Sequence, residues 1–202
     1  MKRLLIIGRP GAGKTLFMIN FAAYTGQKTL RLVVERPDYR VESVILAPEE
    51  ARNRLVGQTG HFTRSVQSLV LDLRRGKAKV QVELEDTPGL DLGISPDAEV
   101  RKAMAQTIRK MRGADLVIHM IDAVQLSVSA PDAGSPSIDM EIARFALTRG
   151  GYIILVNKMD LPGARAGLEK ARALFPGQLM VGVSALTGLN FKQVARVVGR
   201  YA

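Results

Sequence analysis

The 202-residue sequence contains no cysteine, which excludes a disulfide framework and any thiolate-held metal and suits a reducing compartment. It also lacks a long apolar run. Behind Met1-Lys2-Arg3, the stretch Leu4-Leu5-Ile6-Ile7 is too short for a signal-peptide core or a membrane span. No later stretch reaches membrane length without charges, so a soluble, cytoplasmic protein is expected. No internal repeat and no linker divides the chain. With 47% hydrophobic residues it is long enough for one well-cored domain and short for two.

What the sequence does have is positive charge, unevenly spread. Residues 1–80 hold 15 Lys/Arg against 6 Asp/Glu, whereas residues 81–202 hold 14 against 13. Such an excess attracts a polyanion such as RNA, or an anionic membrane surface. A solvated basic face kept for solubility accounts for it equally well.

Short β-branched runs alternate with amphipathic stretches. Strands are expected at Leu4–Ile7, Val66–Leu73, Ala78–Leu84, Leu116–Ile121, Tyr152–Val156 and Leu179–Val183. Helices are expected at Lys14–Ala23, Asp97–Arg112, Ser135-Pro136 to Thr148, Ala164–Leu174 and Leu189–Tyr201. The charged turn Arg74-Arg75-Gly76-Lys77 is short enough to make its flanking strands antiparallel. The remaining alternation gives an α/β fold, a mostly parallel sheet covered on both faces. Residues 28–57 read as an addition: a hairpin of Leu30–Glu35 and Val41–Leu46 turning at Pro37-Asp38, then a short helix from Pro48. Residues 123–137, rich in Ser, Ala, Pro and Gly, read as a long surface loop.

The segment Gly8-Arg9-Pro10-Gly11-Ala12-Gly13-Lys14-Thr15 fits G-x-x-x-x-G-K-[ST] after a buried strand and at the opening of a helix. Glycines let the backbone curl its N–H groups toward phosphate oxygens, and the helix aims its positive end at the same point. Lys14 can reach the outer phosphates, and the Thr15 hydroxyl can ligate magnesium. Asp86-Thr87-Pro88-Gly89 ends a strand where a carboxylate for the magnesium shell belongs, and Gly89 offers an N–H that can approach a γ-phosphate closely.

Asn157-Lys158-Met159-Asp160 follows another apolar strand. Guanine carries an N1–H and an exocyclic amine on one edge, from which the Asp160 carboxylate can accept; adenine has no such pair. Asn157 can tie the loops together, and the Lys158 stem can lie on the purine face. Ser184-Ala185-Leu186 ends the next strand, where a backbone N–H can approach the guanine carbonyl. All four segments follow strand C-termini, where open α/β sheets bind ligands.

Together these segments resemble the translation-factor-related P-loop GTPases, and Asp-Thr-Pro-Gly-Leu resembles their Era, Der and TrmE branch. The resemblance covers nearly the whole chain apart from 28–57 and 123–137. It implies a three-layer P-loop domain over 1–202, its six-stranded sheet having one antiparallel strand, with the hairpin and short helix of 28–57 inserted. It implies GTP hydrolysis to GDP with magnesium, catalytic roles for Lys14, Thr63 and Gly89, and magnesium at Thr15, Thr63 and Asp86. Thr59 is the alternative to Thr63, the switch threonine. A protein effector or an RNA or ribosomal partner would read the switch, although Era's separate RNA-binding domain is not expected after Ala202.

Two positions depart from the pattern. Leu90 stands where Ras-like members carry a glutamine that orients the attacking water, so slow turnover is expected. Gly11 stands where some relatives hold potassium with asparagine. A nucleotide-dependent interaction module with negligible hydrolysis is therefore the competing reading; an ATP-dependent kinase is disfavoured by Asn157–Asp160. His119, inside a strand, reads as packed, while His61 and Arg64 lie in the suspected switch.

Overall fold

A computed structural model describes residues 1–56, 65–75, 78–90, 97–129, 137–148 and 151–201. Its centre is β1 (Lys2–Gly8), in which Leu4 to Ile7 are fully buried. Period-two alternation sends Leu4 and Ile6 into one apolar cluster and Leu5 and Ile7 into another, on opposite faces of the sheet. A strand buried on both faces must be apolar throughout, which is why β1, β6 (Leu116–Asp122) and β7 (Gly151–Asn157) are continuous rather than alternating runs.

One eight-stranded sheet results, in the order β3-β2-β4-β5-β1-β6-β7-β8. Here β2 is Leu30–Glu35, β3 Val41–Leu46, β4 Val66–Arg75, β5 Ala78–Asp86 and β8 Met180–Gly182. Strands β5, β1, β6, β7 and β8 run parallel, β4 runs against β5, and the β2–β3 hairpin adds two more strands at the β4 edge. The expected six-stranded sheet with one antiparallel strand is thus present, extended in the same sheet by the expected hairpin. Its turn is closed by the Tyr39 N–H on the Arg36 carbonyl at 2.9 Å.

Helices cover both faces. One cluster is capped by α1 (Lys14–Tyr24) and α7 (Phe191–Val198), where Phe17, Phe21 and Phe191 pack with ring centres 5.1–5.5 Å apart. The short α2 (Pro48–Leu55) buries Ala51 in this layer. It begins with proline and two glutamates and ends with Arg52 and Arg54, a charge order that complements the helix dipole. The opposite layer holds α3 (Ala98–Gly113), α5 (Ile138–Leu147) and α6 (Ala164–Leu174).

Two expectations need correction. Residues 123–128 are not loop but a helix, α4 (Ala123–Val128), because the Asp122 carboxylate accepts from the N–H groups of Val124 and Gln125 and caps it. The helix expected from Ser135-Pro136 is described only from Ile138, capped by Ser137, whose Oγ accepts from the Met140 N–H at 3.3 Å. Ser135 and Pro136 lie outside the described residues.

Polar ties hold the hairpin to α3. Lys110 bridges Glu35 of β2 at 2.9 Å and Glu85 of β5 at 3.0 Å, and Gln106 donates to Glu35. Arg109 lies over the Tyr39 ring and donates to its hydroxyl. Burial raises the Glu85 carboxyl above its ordinary range despite the lysine. Burial acts on Lys110 the other way, but its two carboxylate partners outweigh it and hold the ammonium above its ordinary value.

Candidate nucleotide site

Strand register alone brings the motifs together. Ile6 pairs with Asp86, Gly8 with Met120, and Asp122 with Asn157, so the ends of β1, β5, β6 and β7 lie side by side. Gly8 leads into the loop that opens α1, with Gly11 and Gly13 at positive φ. At Gly13 this conformation and the space both demand glycine, since a Cβ there would lie 2.3 Å from Asn157 Nδ2.

Lys14 is buried, and its ammonium donates to the carbonyls of Gly8 at 3.1 Å and Arg9 at 2.9 Å. Desolvation lowers its pKa, and the charge of Asp86 offsets part of that. Thr15 Oγ1 donates to Asp86 Oδ2 at 2.5 Å. Asp86 is fully buried, and desolvation pushes its carboxyl up to about 6 against the pull of Lys14, Thr15 and the Thr87 N–H. Its second oxygen, Oδ1, is buried with no hydrogen-bond partner among the described residues. A hydroxyl and a buried carboxylate, one oxygen left over, suit a hard cation such as magnesium that keeps waters and phosphate oxygens in its shell. No cluster of three or more His, Asp or Glu exists among the described residues to form an all-protein metal cage.

Gly89 lies against the phosphate loop: a Cβ would fall 2.5 Å from the Pro10 nitrogen. The Leu90 N–H donates to the Gly8 carbonyl at 3.1 Å, and its side chain is buried with Leu5, Ile7 and Val117. The residue in the glutamine's place is therefore a core residue here. Thr59, His61, Thr63 and Arg64 lie outside the described residues.

At the base end, Asn157 is almost fully buried. Its Nδ2 donates to the Ala12 carbonyl at 2.8 Å, and its Oδ1 accepts from the Ala185 N–H at 2.8 Å. One side chain thus ties the phosphate loop to the Ser184–Leu186 loop. Lys158 has φ +68 and pairs with Asp122 at 2.5 Å. Asp160 is exposed two residues on. Ser184 is buried, its Oγ accepting from the Thr187 N–H, while Leu186 is exposed. Ala185 spends its N–H on Asn157, and Thr187 and Gly188 spend theirs on Ser184, which leaves the N–H groups of Ser184 and Leu186 as the donors of this loop without a partner among the described residues.

Three features escaped the sequence reading. Asp122 was not recognised as the carboxylate partner of Lys158. Asn20 of α1 donates to the Ala185 carbonyl at 2.7 Å and accepts from Arg52 at 2.9 Å. Arg9 donates to Asp139 at 2.8 Å, whose other oxygen bonds His119 Nε2 at 3.1 Å, while His119 Nδ1 meets the Tyr152 hydroxyl at 2.8 Å. A carboxylate only accepts, so Nε2 carries the proton shared with Asp139. Burial raises the Asp139 carboxyl, but His119 and Arg9 outweigh it and hold the group below its ordinary value. His119 is packed, as expected. The basic residues of the hairpin and α2 are partly neutralised: Arg36, Arg40 and Arg54 pair with Glu42, Asp38 and Glu50.

The sequence pattern of the family described as "50S ribosome-binding GTPase" matches residues 47–158, from the start of α2 to Lys158. "GTPase Obg" of Desulfatibacillum aliphaticivorans is 28% identical over 184 residues, 85% of this chain and 52% of that protein. "Mitochondrial ribosome-associated GTPase 2" of Homo sapiens is 28% identical over 117 residues, 57% of this chain and 27% of that protein. The chain thus spans about half, or less, of these curated relatives. Among solved structures, Era in complex with MgGDPNP and nucleotides 1506–1542 of 16S ribosomal RNA superposes with TM-score 0.66 at 21% identity, over 99% of this chain and 56% of that one. The G domain of the T. maritima FeoB iron transporter gives TM-score 0.57 at 17% identity, over 100% of this chain and 98% of that one. These two likenesses establish the fold. With a match over more than half of its residues, this chain belongs to the 50S ribosome-binding GTPase family.

Proposed function

We propose that the chain binds guanine nucleotides and hydrolyses GTP to GDP and phosphate with magnesium, acting as a nucleotide-dependent switch. The observation that carries this is the double bond of Asn157 to Ala12 and Ala185. It makes the phosphate loop and the base-recognising segments one site. Residues 8–15 cradle the phosphates, and Lys14 turns its ammonium from the Gly8 and Arg9 carbonyls to the β- and γ-phosphates. Thr15 and Asp86, with Thr63, hold magnesium, which when bound neutralises charge on the phosphate oxygens. Gly89 gives its N–H to the γ-phosphate. Asp160 accepts from the guanine edge, Lys158 covers the ring while Asp122 steadies it, and Ser184, Ala185 and Leu186 face the carbonyl.

Calorimetry with GDP and ADP tests the base assignment: a clear preference for GDP is expected, and equal affinity would falsify it. Asp160→Asn replaces an acceptor by a group that can donate, so its preference shifts from GTP toward XTP, which carries an oxygen in place of the amine.

The burial of Leu90 favours a second reading, an interaction module that binds nucleotide with negligible hydrolysis. Single-turnover phosphate release separates the two. A slow rate, on the order of 10⁻⁴ to 10⁻² per second, is expected of a switch without its activating partner; no release above background selects the module. An RNA-containing or ribosomal partner is consistent with the family's description, with the RNA bound by the Era neighbour and with exposed Lys28, Arg31 and Lys79.

A further inference from the structure

We infer that helix α2 supplies a positioning residue for the base site: Arg52, acting through Asn20, orients the peptide group between Ala185 and Leu186. The inference rests on the guanine reading above and extends it to a segment without an assigned role there. Arg52 Nη1 donates to Asn20 Oδ1 at 2.9 Å, and Asn20 Nδ2 donates to the Ala185 carbonyl at 2.7 Å. Both side chains are half-buried, so competition from water is reduced. An amide side chain has a direction. By occupying the oxygen of Asn20, Arg52 fixes its NH₂ toward Ala185, where a flipped amide would set oxygen against oxygen.

A peptide group is planar, and the chain has no cis bond among its described residues. The Ala185 carbonyl and the Leu186 N–H therefore point in opposite directions from one rigid unit. Pinning the carbonyl toward α1 aims the Leu186 N–H away from α1, as the donor to the guanine carbonyl. The preceding peptide is pinned separately, through the Ala185 N–H on Asn157. Two asparagines hold the two peptides flanking Ala185, and α2 holds one of them through Arg52.

The test is release of GDP carrying a fluorescent ribose label from the full chain, compared with the diphosphate of 2-aminopurine riboside carrying the same label. The second ligand lacks the carbonyl oxygen but keeps the amine and the phosphates. Arg52→Ala is expected to speed GDP release by about three- to tenfold, the range of one hydrogen bond, and to leave release of the 2-aminopurine ligand within about twofold. Asn20→Asp keeps a partner for Arg52 but has no N–H for the carbonyl, so it behaves as Asn20→Ala, whereas Arg52→Lys retains a donor and restores most of the wild-type rate. An Arg52→Ala chain releasing GDP at the wild-type rate overturns the inference. So does one that accelerates both ligands equally, which is general loosening. A wild-type chain that does not distinguish GDP from ADP overturns the guanine reading itself, and so differs from failure of the clamp alone.

Discussion

In β7, six of seven residues are buried, and its neighbours β6 and β8 run parallel to it. In β3, one of six is buried, and the strand pairs only with β2 at the edge of the sheet. The first kind of strand is fixed by apolar packing on both faces, so its C-terminal end holds whatever follows in one place, and the nucleotide motifs hang from such ends. The second kind is located by side-chain ties, Glu35 and Tyr39 to α3 and Arg52 to α1. Ties of this sort can be exchanged at modest cost. On the function proposed above, the packed half would hold the nucleotide and the tied half would be free to meet a partner.

The contrast can be broken most sharply at the rigid end. Lys14→Ala removes the cation from the phosphate loop, and GTP hydrolysis is expected to fall at least about 100-fold, as when one charge-stabilising donor is lost elsewhere; phosphate release at saturating GTP measures it. A rate within threefold of wild type sinks the assignment. Within the scaffold, Ile154→Ala empties a site buried on both sides and should cost about 2–5 kcal/mol in urea unfolding.

Asp86 offers a test by pH. Its folded pKa of about 6 lies above the ordinary aspartate value, so the folded chain holds a proton that the unfolded chain has lost. Its ionisation therefore destabilises the fold, increasingly from about pH 4 to 6 and fully above, by roughly 3 kcal/mol. Asp86→Asn should raise stability at pH 8 in chain free of nucleotide and magnesium, with the gain vanishing near pH 4. An advantage that grows on acidification contradicts this sign.

The adjustable half responds more weakly. Lys110→Ala takes the ion-pair partner from the buried Glu85 and should cost about 2 kcal/mol. Ile45→Ala, on the exposed edge, should cost less than about 0.5 kcal/mol. Matching losses at positions 45 and 154 would erase the distinction.

The same division governs how much the sequence disclosed. Parallel strands announce themselves as unbroken apolar runs, and the motifs follow their ends at fixed spacings, so the sheet and the order of the motifs along it were legible. The hairpin was legible too, because it alternates around Pro37-Asp38. Helix α4 was hidden, since the Ser, Pro and Gly that follow it give the whole of 123–137 the look of a loop, while a capping aspartate opens the helix. The partnerships of Asn20, Arg52, Asp122 and Asp139 were invisible for another reason. Asn20 meets Ala185 across 165 positions and Arg9 meets Asp139 across 130, and no periodicity encodes contacts of that range.

The shared amide of Asn157 also governs how this molecule can fail. Replacing it by alanine removes donor and acceptor together and frees the Ala12 carbonyl and the Ala185 N–H in one stroke. Such damage reaches both ends of the proposed nucleotide site together. Damage at Asn20 or Arg52 leaves the Ala12 carbonyl held and loosens only the Ala185 side, so the two joints differ in reach: one spans both loops, the other a single peptide.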